Sequence, residues 1–304
     1  VLEAGLNVRT NFTPPKDFIM PVREDVKSGR LAEEVLNRRV AEVLAGKFRL
    51  GLFDRPFLGD AERVDQVAGI AHHLDFVDEM QNQAMVLLKN DGLLPLDAAR
   101  VRRVLVTGPL ADETNFMISR YGPNGLDTVS VLRGLSEHLA GRAEVVYRKG
   151  CETIDASWPD SELVPRPLTD AETAMMNEAV DAASESDVIV AVLGEDEKTT
   201  GESRSRTSLD LPGRQQQLLE RLHATGKPVV LVLVNGQPLT VNWADRNVPA
   251  ILEMWFPSCR GGVAVAKALF GEVNPSGKLT VTFPKSVGQI ELNFPFKKGS
   301  HGDQ

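Results

Sequence analysis

The sequence is poor in the features that mark several common classes of protein. It has 2 cysteines, Cys151 and Cys259, in 304 residues, which allow one disulfide at most and no cysteine cluster for a metal ion. We expect both to be buried free thiols. The longest apolar stretches, such as VVLVLV at 229–234, are far shorter than the ~20 residues that cross a bilayer. The sequence therefore predicts a protein without a membrane span.

Positive charge is also scarce. Lys and Arg together number 34 against 42 for Asp and Glu, which gives a formal net charge of −8. Charges of both signs are interspersed along the chain, whereas a surface that binds a phosphate backbone needs a basic stripe or cluster. The composition therefore argues against nucleic acid as a partner and predicts a soluble globular protein with a substantial core.

The ends of the sequence lack the usual start and targeting signals. Residue 1 is Val instead of Met, and the opening VLEAGLNVRTNF has neither a basic start nor the apolar core of a signal peptide. The final KKGSHGDQ is polar and contains no element that closes a domain. We expect the sequence to be an internal piece of a longer protein.

The first part of the chain has mainly helical patterns. Residues 21–53 predict two helices separated at Ser28–Arg30, and residues 71–91 predict a further helix that runs into the loop DGLLPLD. Prolines in FTPPKDFIMP, at 12–21, predict an extended connection before them. The segment RPFLGDAERVD, at 55–65, predicts a linker and the best domain boundary. The adjacent His72 and His73 are expected to be helix-surface residues, because neighbouring positions on a helix face different directions.

From Arg103 onward, β-branched apolar runs alternate with amphipathic helical patterns. Strands are predicted at 101–108, 143–150, 187–194, 227–236, 249–256 and 277–284, with a helix or turn after each of the first five. This alternation is typical of βαβ units and of a parallel sheet. The predicted fold class is therefore α/β, with about six strands and helices on both faces.

The loop after the predicted strand 187–194 is the first candidate for chemistry. In open α/β sheets, ligands bind outside the carboxyl ends of the strands, and this loop, EDEKTTGESRSRTSLD, is crowded with charged residues. Glu202 is a candidate proton donor, because a carboxylic acid in a partly closed cleft can have a raised pKa. On composition alone, a solvated acidic loop is the stronger interpretation and Glu195 is an equal candidate. Arg204 and Arg206 would pair with acids or bind substrate hydroxyls.

Two other segments are candidates for binding a ligand. Arg120 and Tyr121, in SRYGPNG, fit either a substrate-contacting loop or a surface turn, and Trp255 could stack on a ligand or lie in the core. The G-x-G-x-x-G motif is absent after Gly108 and after Gly194, which argues against nicotinamide binding. We expect neither a cofactor nor a metal site.

Several longer motifs occur in a fixed order along the chain. They are AGLNV, KFRLGLFDRPF, AMVLLKNDGLLPL, VLVTGPLAD, GESRSRTSLDLPGRQ, NGQPL and the block 255–290. Together they resemble glycoside hydrolase family 3, the group of β-glucosidases and β-xylosidases. The resemblance implies that residues 1–56 are the last segment of a (β/α)8 barrel and that 57–100 are a linker with the first helix. Residues 101–296 would be a six-stranded, mostly parallel α/β sandwich domain that carries the acid/base loop, and 297–304 a truncated loop.

The resemblance also implies a reaction. Family members are retaining glycosidases that use two carboxylates, which predicts an exo-acting β-glucosidase that releases terminal non-reducing β-D-glucosyl residues by double displacement. The G-E-x-x-S-R match assigns the general acid/base to Glu202, whereas the Asp nucleophile would lie upstream of AGLNV and outside this sequence. Glu195 would be structural or would contact a catalytic residue without touching substrate. The residues expected to bind substrate are Arg120, Tyr121, Trp255 and Arg204.

Alternatives remain open at this stage. A β-xylosidase of the same family fits the sequence equally, because residues that bind a hydroxymethyl group would lie mostly in the barrel. A non-catalytic carbohydrate-binding module would explain why no nucleophile is present in this chain. The expected partners are a β-linked oligosaccharide or glucoside and the barrel part of the same protein. A homodimer is compatible with the resemblance, which also favours a periplasmic or secreted protein.

Overall fold

A computed structural model describes residues 1–10, 13–57, 59, 62–123 and 125–289. Its contacts divide the chain into two units, one comprising Val1–Ala68 and the other Gly69–Gln304. The predicted truncated loop at 297–304 lies outside the described residues. The domain boundaries given above stay predictions.

Within the described part of the second unit, six strands form one sheet in the order β1-β6-β5-β4-β2-β3. The strands are β1 (Val86–Asn90), β2 (Arg103–Thr107), β3 (Glu144–Arg148), β4 (Val188–Gly194), β5 (Val229–Val234) and β6 (Ala250–Glu253). Strands β2 to β6 pair in parallel, and β1 is antiparallel to β6. Every residue of β4 and β5 is buried, as expected for central strands covered on both faces. The predicted six-stranded, mostly parallel α/β fold is confirmed.

One predicted strand is wrong and another was missed. Residues 277–284, which are all described, contain no strand. The edge strand is instead β1, which sequence analysis had included in a helix beginning at Ala71. Helix α4 (Ala71–Ala84) ends there because Met85 is extended, with φ −61° and ψ 134°. The apolar run from Met85 to Leu88 satisfies a helical or a strand pattern equally, and pairing with β6 decides between them.

Helices cover both faces of the sheet. They are α5 (Val131–His138), α6 (Asp170–Ser184), α7 (Gln215–His223), α8 (Asn242–Asn247) and α9 (Gly261–Leu269). Because successive side chains of a strand point to opposite faces, Val104 and Val106 of β2 join a core with α5 and α9. Leu105, between them, joins a second core with α6 and α7. Two apolar layers therefore hold the strands, and the strand ends remain available for a site.

The first unit is helical. Its helices are α1 (Lys16–Lys27), α2 (Glu33–Arg49) and α3 (Glu62–Val67), and the predicted break at Ser28–Arg30 is confirmed by Gly29, which has φ +74°. The predicted extended connection is wrong from Lys16 onward, because α1 includes Pro21. Helix α3 begins inside the predicted linker, whose role as a connection between domains stays a prediction. Pro21 has no N–H to donate within α1.

Both cysteines are free and buried, as predicted. None of the helices in the described ranges is both long enough and apolar enough to span a membrane.

Candidate active site

The carboxyl ends of three neighbouring strands carry buried polar side chains. Glu195 directly follows β4, Asn235 directly follows β5 and Glu253 ends β6, and the relative exposure of each is 0%. The Nδ2 of Asn235 donates hydrogen bonds to the main-chain oxygen of Gln237 at 2.7 Å and to Glu253 Oε2 at 3.3 Å. Parallel neighbouring strands bring these groups together at one edge of the sheet.

Glu195 is enclosed in a hydrogen-bonding cluster. Its Oε1 accepts hydrogen bonds from Arg206 Nη1 and from Gln237 Nε2, each at 2.7 Å. Burial raises the pKa of the Glu195 carboxyl, and the two donors oppose that rise. Its other oxygen, Oε2, has no hydrogen-bond partner within the described ranges. This enclosure removes Glu195 from any substrate that approaches through solvent.

Arg206, near the end of the charged loop, hydrogen-bonds to Glu195 at the beginning of the loop. Besides Glu195, its guanidinium donates from Nε to Glu162 Oε1 at 3.1 Å and from Nη2 to the main-chain oxygen of Asp210 at 2.6 Å. It also lies 5.7 Å from the centroid of the Trp158 ring. The three charged side chains are only 4%, 7% and 0% exposed for Arg206, Glu162 and Glu195. Of the two interpretations of Arg206, the structure shows pairing with acids.

Gln215, the first residue of α7, fixes the same loop at its base. Its Oε1 accepts from the main-chain N–H of Gly194 at 2.7 Å, and its Nε2 donates to the main-chain oxygens of Gly194 at 2.8 Å and Thr153 at 3.1 Å. The amide side chain of Gln215 therefore hydrogen-bonds to both the main-chain N–H and the main-chain oxygen of Gly194, at the end of β4. Both ends of the segment that follows are anchored, while Glu202 near its middle is exposed.

Glu202 contacts two residues from a distant part of the chain. The hydroxyl of Tyr121 donates a hydrogen bond to Glu202 Oε2 at 3.0 Å. Nη1 of Arg120 donates to the main-chain oxygen of Glu202 at 2.8 Å. The structure thus brings together three of the five residues that the sequence analysis selected, although about eighty positions separate them along the chain.

Trp255 and Arg204 lie apart from this contact. Trp255 is half-buried, has φ +55°, and lies with its ring centroid 6.0 Å from that of Phe283. Arg204 is exposed, and its main-chain N–H donates to the oxygen of Gly201 at 3.2 Å. No hydrogen bond or ion pair joins either side chain to Glu202 in the described part of the chain. Their predicted role in substrate binding stays a prediction.

Glu253 is the acidic residue that sequence analysis missed. Its Oε1 accepts from the main-chain N–H of Trp255 at 2.7 Å. Burial raises its pKa to about 8, and the neighbouring charge of Glu195 adds to the rise. A single carboxylate inside the apolar run PAILEMWF was the available signal, because a buried charge needs dedicated partners.

The described residues contain no group of three or more His, Cys, Asp and Glu side chains that could hold a metal ion. A cavity of about 150 Å³ lies beside Arg206 and is lined by Trp158, Glu162 and Asp210 among others. Buried carboxylates and hydrogen-bonding side chains therefore line this edge of the sheet.

Comparison with known proteins assigns this domain to a class. Residues 85–303 match the model of the glycosyl hydrolase family 3 C-terminal domain. The α/β domain described above is therefore a glycosyl hydrolase family 3 C-terminal domain. The chain belongs to glycosyl hydrolase family 3, as the sequence motifs predicted.

Named relatives cover most of this chain but only part of their own length. The chain is 39% identical over 267 residues to a beta-xylosidase of Formosa agariphila, an alignment that covers 85% of this chain and 35% of the relative. It is 38% identical over 284 residues to the periplasmic beta-glucosidase of Salmonella typhimurium, covering 88% and 36%. The chain therefore spans about a third of the length of these relatives.

Solved structures agree with the fold. A β-glucosidase involved in saponin metabolism from intestinal bacteria is similar with a TM-score of 0.83 and 34% identity, over 99% of this chain and 44% of that protein. The β-glucosidase of Listeria innocua in complex with isofagomine is similar with a TM-score of 0.80 and 29% identity, over 95% and 38%.

Proposed function

We propose that this chain is part of an exo-acting retaining β-glucosidase in which Glu202 is the general acid/base. The observation that carries the proposal is the position of Glu202. It is an exposed carboxylate on the loop that leaves the carboxyl end of β4. Tyr121 hydrogen-bonds to its carboxyl group and Arg120 to its main-chain oxygen. The names of the relatives support a glycosidase, and the G-E-x-x-S-R match supports the choice of this glutamate.

The proposed reaction is a double displacement at the anomeric carbon. An Asp outside this sequence attacks the sugar while Glu202 protonates the leaving oxygen, and Glu202 then deprotonates the water that hydrolyses the glycosyl-enzyme. Retention requires the two carboxyl groups to be about 5 to 5.5 Å apart. Glu202 meets the requirement of access, because it is exposed in this chain.

Glu195 is the less suitable acid for this reaction. One of its oxygens is occupied by two donors, and the whole side chain is shielded from solvent. A general acid must come within hydrogen-bond distance of the leaving oxygen, which Glu195 could do only if the cluster around Arg206 opened. We assign it the structural role of orienting Arg206.

The test is Glu202→Gln in the complete protein. For phenyl β-D-glucoside, whose leaving group needs a proton, we expect kcat/KM to fall by roughly 10²- to 10⁴-fold. For 2,4-dinitrophenyl β-D-glucoside, whose leaving group needs none, kcat/KM should change little, and added azide should yield β-glucosyl azide. Glu197→Gln is the matched control, because Glu197 is an exposed glutamate on the same loop. The assignment is wrong if Glu195→Gln shows this pattern and Glu202→Gln does not.

A β-xylosidase is the second candidate, because the beta-xylosidase and the beta-glucosidase named above are similar to this chain to almost the same degree. Comparison of kcat/KM for 4-nitrophenyl β-D-glucoside and 4-nitrophenyl β-D-xyloside decides between them. Faster turnover of the xyloside would replace the glucosidase assignment and leave the role of Glu202 unchanged. Binding of both sugars without turnover would instead favour the carbohydrate-binding module.

A further inference from the structure

We propose that Tyr121 and Arg120 act as positioning residues for Glu202, where the sequence predicted that they bind substrate. This inference rests on the proposed role of Glu202 as the acid/base. The two neighbouring residues contact the glutamate at two separate points. Tyr121 hydrogen-bonds to its carboxyl group and Arg120 to its main-chain oxygen. A contact at one point would leave the side chain or the loop free to rotate.

The contact with the carboxyl group determines which oxygen is available for chemistry. The Tyr121 hydroxyl donates to Glu202 Oε2 at 3.0 Å. A donor on Oε2 favours protonation of the acid at the other oxygen, because the carbonyl oxygen of a carboxylic acid is a better hydrogen-bond acceptor than its hydroxyl oxygen. We therefore assign the transferable proton to Oε1 and assign Oε2 to the anchoring bond.

The contact with the main chain fixes the bend in the loop at Glu202. Its neighbours Gly201 and Ser203 both have positive φ, at +118° and +63°, so the backbone reverses sharply around it. Arg120 Nη1 donates to the carbonyl oxygen of Glu202 at 2.8 Å. A Cβ atom on Gly201 would lie 3.3 Å from Arg120 Cδ, which shows that the arginine follows the backbone closely.

The segment that carries Arg120 and Tyr121 is itself anchored. Met117 is fully buried, and its main-chain oxygen accepts from the N–H of Ser258 at 2.9 Å. Ser119, with φ +67°, accepts from the N–H of Tyr121 at its Oγ at 3.3 Å and from the N–H of Gly122 at its main-chain oxygen at 3.2 Å. The guanidinium of Arg120 lies 5.8 Å from the centroid of the Tyr121 ring. The two side chains therefore project as a pair from a turn attached to the core.

Positioning matters here because Glu202 is exposed. A long charged side chain on a surface loop has several rotamers, and ordering it has an entropic cost. Catalytic groups must be held within about 0.5 Å of the productive geometry, and a misplacement of about 1 Å can lower a rate by on the order of 100-fold. Tyr121, itself 68% exposed, supplies that order by hydrogen bonding.

Tyr121→Phe in the complete protein tests the proposal, because it removes one hydroxyl and keeps the ring. The substrates are the phenyl and 2,4-dinitrophenyl β-glycosides of whichever sugar, glucose or xylose, the wild type hydrolyses faster. We expect kcat/KM for the phenyl glycoside to fall roughly 10- to 100-fold, with kcat lowered and KM little changed. For the dinitrophenyl glycoside, kcat/KM should change by less than about 3-fold, which is comparable to experimental scatter. The change is small because glycosylation with this leaving group needs no acid.

A double variant separates positioning from substrate contact. If Tyr121 acts through Glu202, Tyr121→Phe should have no further effect on kcat/KM in the Glu202→Gln background, because coupled residues are not additive. Arg120→Met should reproduce the loss with the phenyl glycoside, since it releases the main-chain contact. Tyr147→Phe is the matched control, because Tyr147 is the second of the 2 tyrosines and lies on β3.

The outcomes distinguish this inference from the proposed function. Additive losses in the double variant, equal losses with both leaving groups, or an increase in KM alone would assign Tyr121 to substrate binding and overturn the positioning role. Wild-type activity in both Tyr121→Phe and Arg120→Met would also overturn it. A wild-type protein that hydrolyses neither aryl glucosides nor aryl xylosides would instead overturn the proposed function itself.

Discussion

The carboxyl group of Glu253 accepts a hydrogen bond from the main-chain N–H of Trp255, with 2.7 Å between Oε1 and the nitrogen. Trp255 has φ +55°, a left-handed backbone conformation that residues other than glycine rarely adopt. The bond therefore stabilises an unfavourable turn at the end of β6. It requires a carboxyl group that is fully buried beside a second buried acid, Glu195.

Glu253 should make stability depend on pH. Its pKa is raised from 4.5 to about 8 in the folded protein, because burial disfavours the charged form. A raised folded-state pKa contributes stability that is fully present below about pH 4.5 and is lost as the pH rises through about 8. Glu253→Gln keeps an acceptor for Trp255 and cannot ionise. We expect the Tm difference, variant minus wild type, to increase between pH 5 and pH 9, as measured by calorimetry on the complete protein.

The control for that experiment is Glu178→Gln, an exposed glutamate on α6. It should leave the pH dependence of Tm as in the wild type. A Tm difference for Glu253→Gln that stays constant from pH 5 to pH 9 would contradict the raised pKa.

Arg206 should be essential for stability, whereas Arg204 two positions earlier should not. Arg206→Met leaves the buried carboxylates of Glu195 and Glu162 without their shared partner, and breaking a buried pair in this way costs about 3 to 5 kcal/mol. Arg204→Met changes an exposed side chain and should stay within about 0.5 kcal/mol of the wild type. Urea unfolding followed by circular dichroism measures both. Equal midpoints for the two variants would show that the buried cluster does not stabilise the loop.

Gly134 should not tolerate alanine although it lies inside a helix. At an open helical position, Gly→Ala stabilises by about 1 kcal/mol. Here a Cβ atom would lie 2.2 Å from the main-chain oxygen of Gly262, where α5 packs against α9. Because main-chain atoms can move only if the helices separate, we expect destabilisation by about 1 to 3 kcal/mol. Ser136→Ala, on the exposed face of α5, is the control, and a higher Tm for Gly134→Ala would contradict this packing argument.

The α/β fold could be predicted because β4 and β5 are uninterrupted apolar runs between amphipathic helices. The edge strand could not, because the run from Met85 to Leu88 has no periodicity that distinguishes helix from strand. Residues 277–284 alternate like a strand, but the N–H of Gly277 donates to the oxygen of Met85 at 2.9 Å, and the segment continues outside the sheet. Local patterns do not encode which of two segments pairs with β6.

The candidate site shows the same limit. Glu202 was selected from its loop and its motif, and Arg120 and Tyr121 from a separate turn, but their contact depends on the tertiary fold. Glu253 was missed because its sequence neighbours are all apolar, and only the adjacent strand ends reveal its polar partners. The sequence left open whether Arg206 pairs with acids or binds substrate, and its burial against Glu195 and Glu162 favours pairing with acids.

Among the described strands, β1 is the first and β6 the last along the sequence, and they pair with Val86 opposite Glu253. During synthesis we expect β2 to β5 to assemble first with the helices between them, because β1 can pair with β6 only after Ala250–Glu253 has left the ribosome. Contacts between such distant segments form slowly because a long loop must close first. During this interval we expect β1, whose first three residues are apolar, to lack a strand partner and to be open to association with other chains.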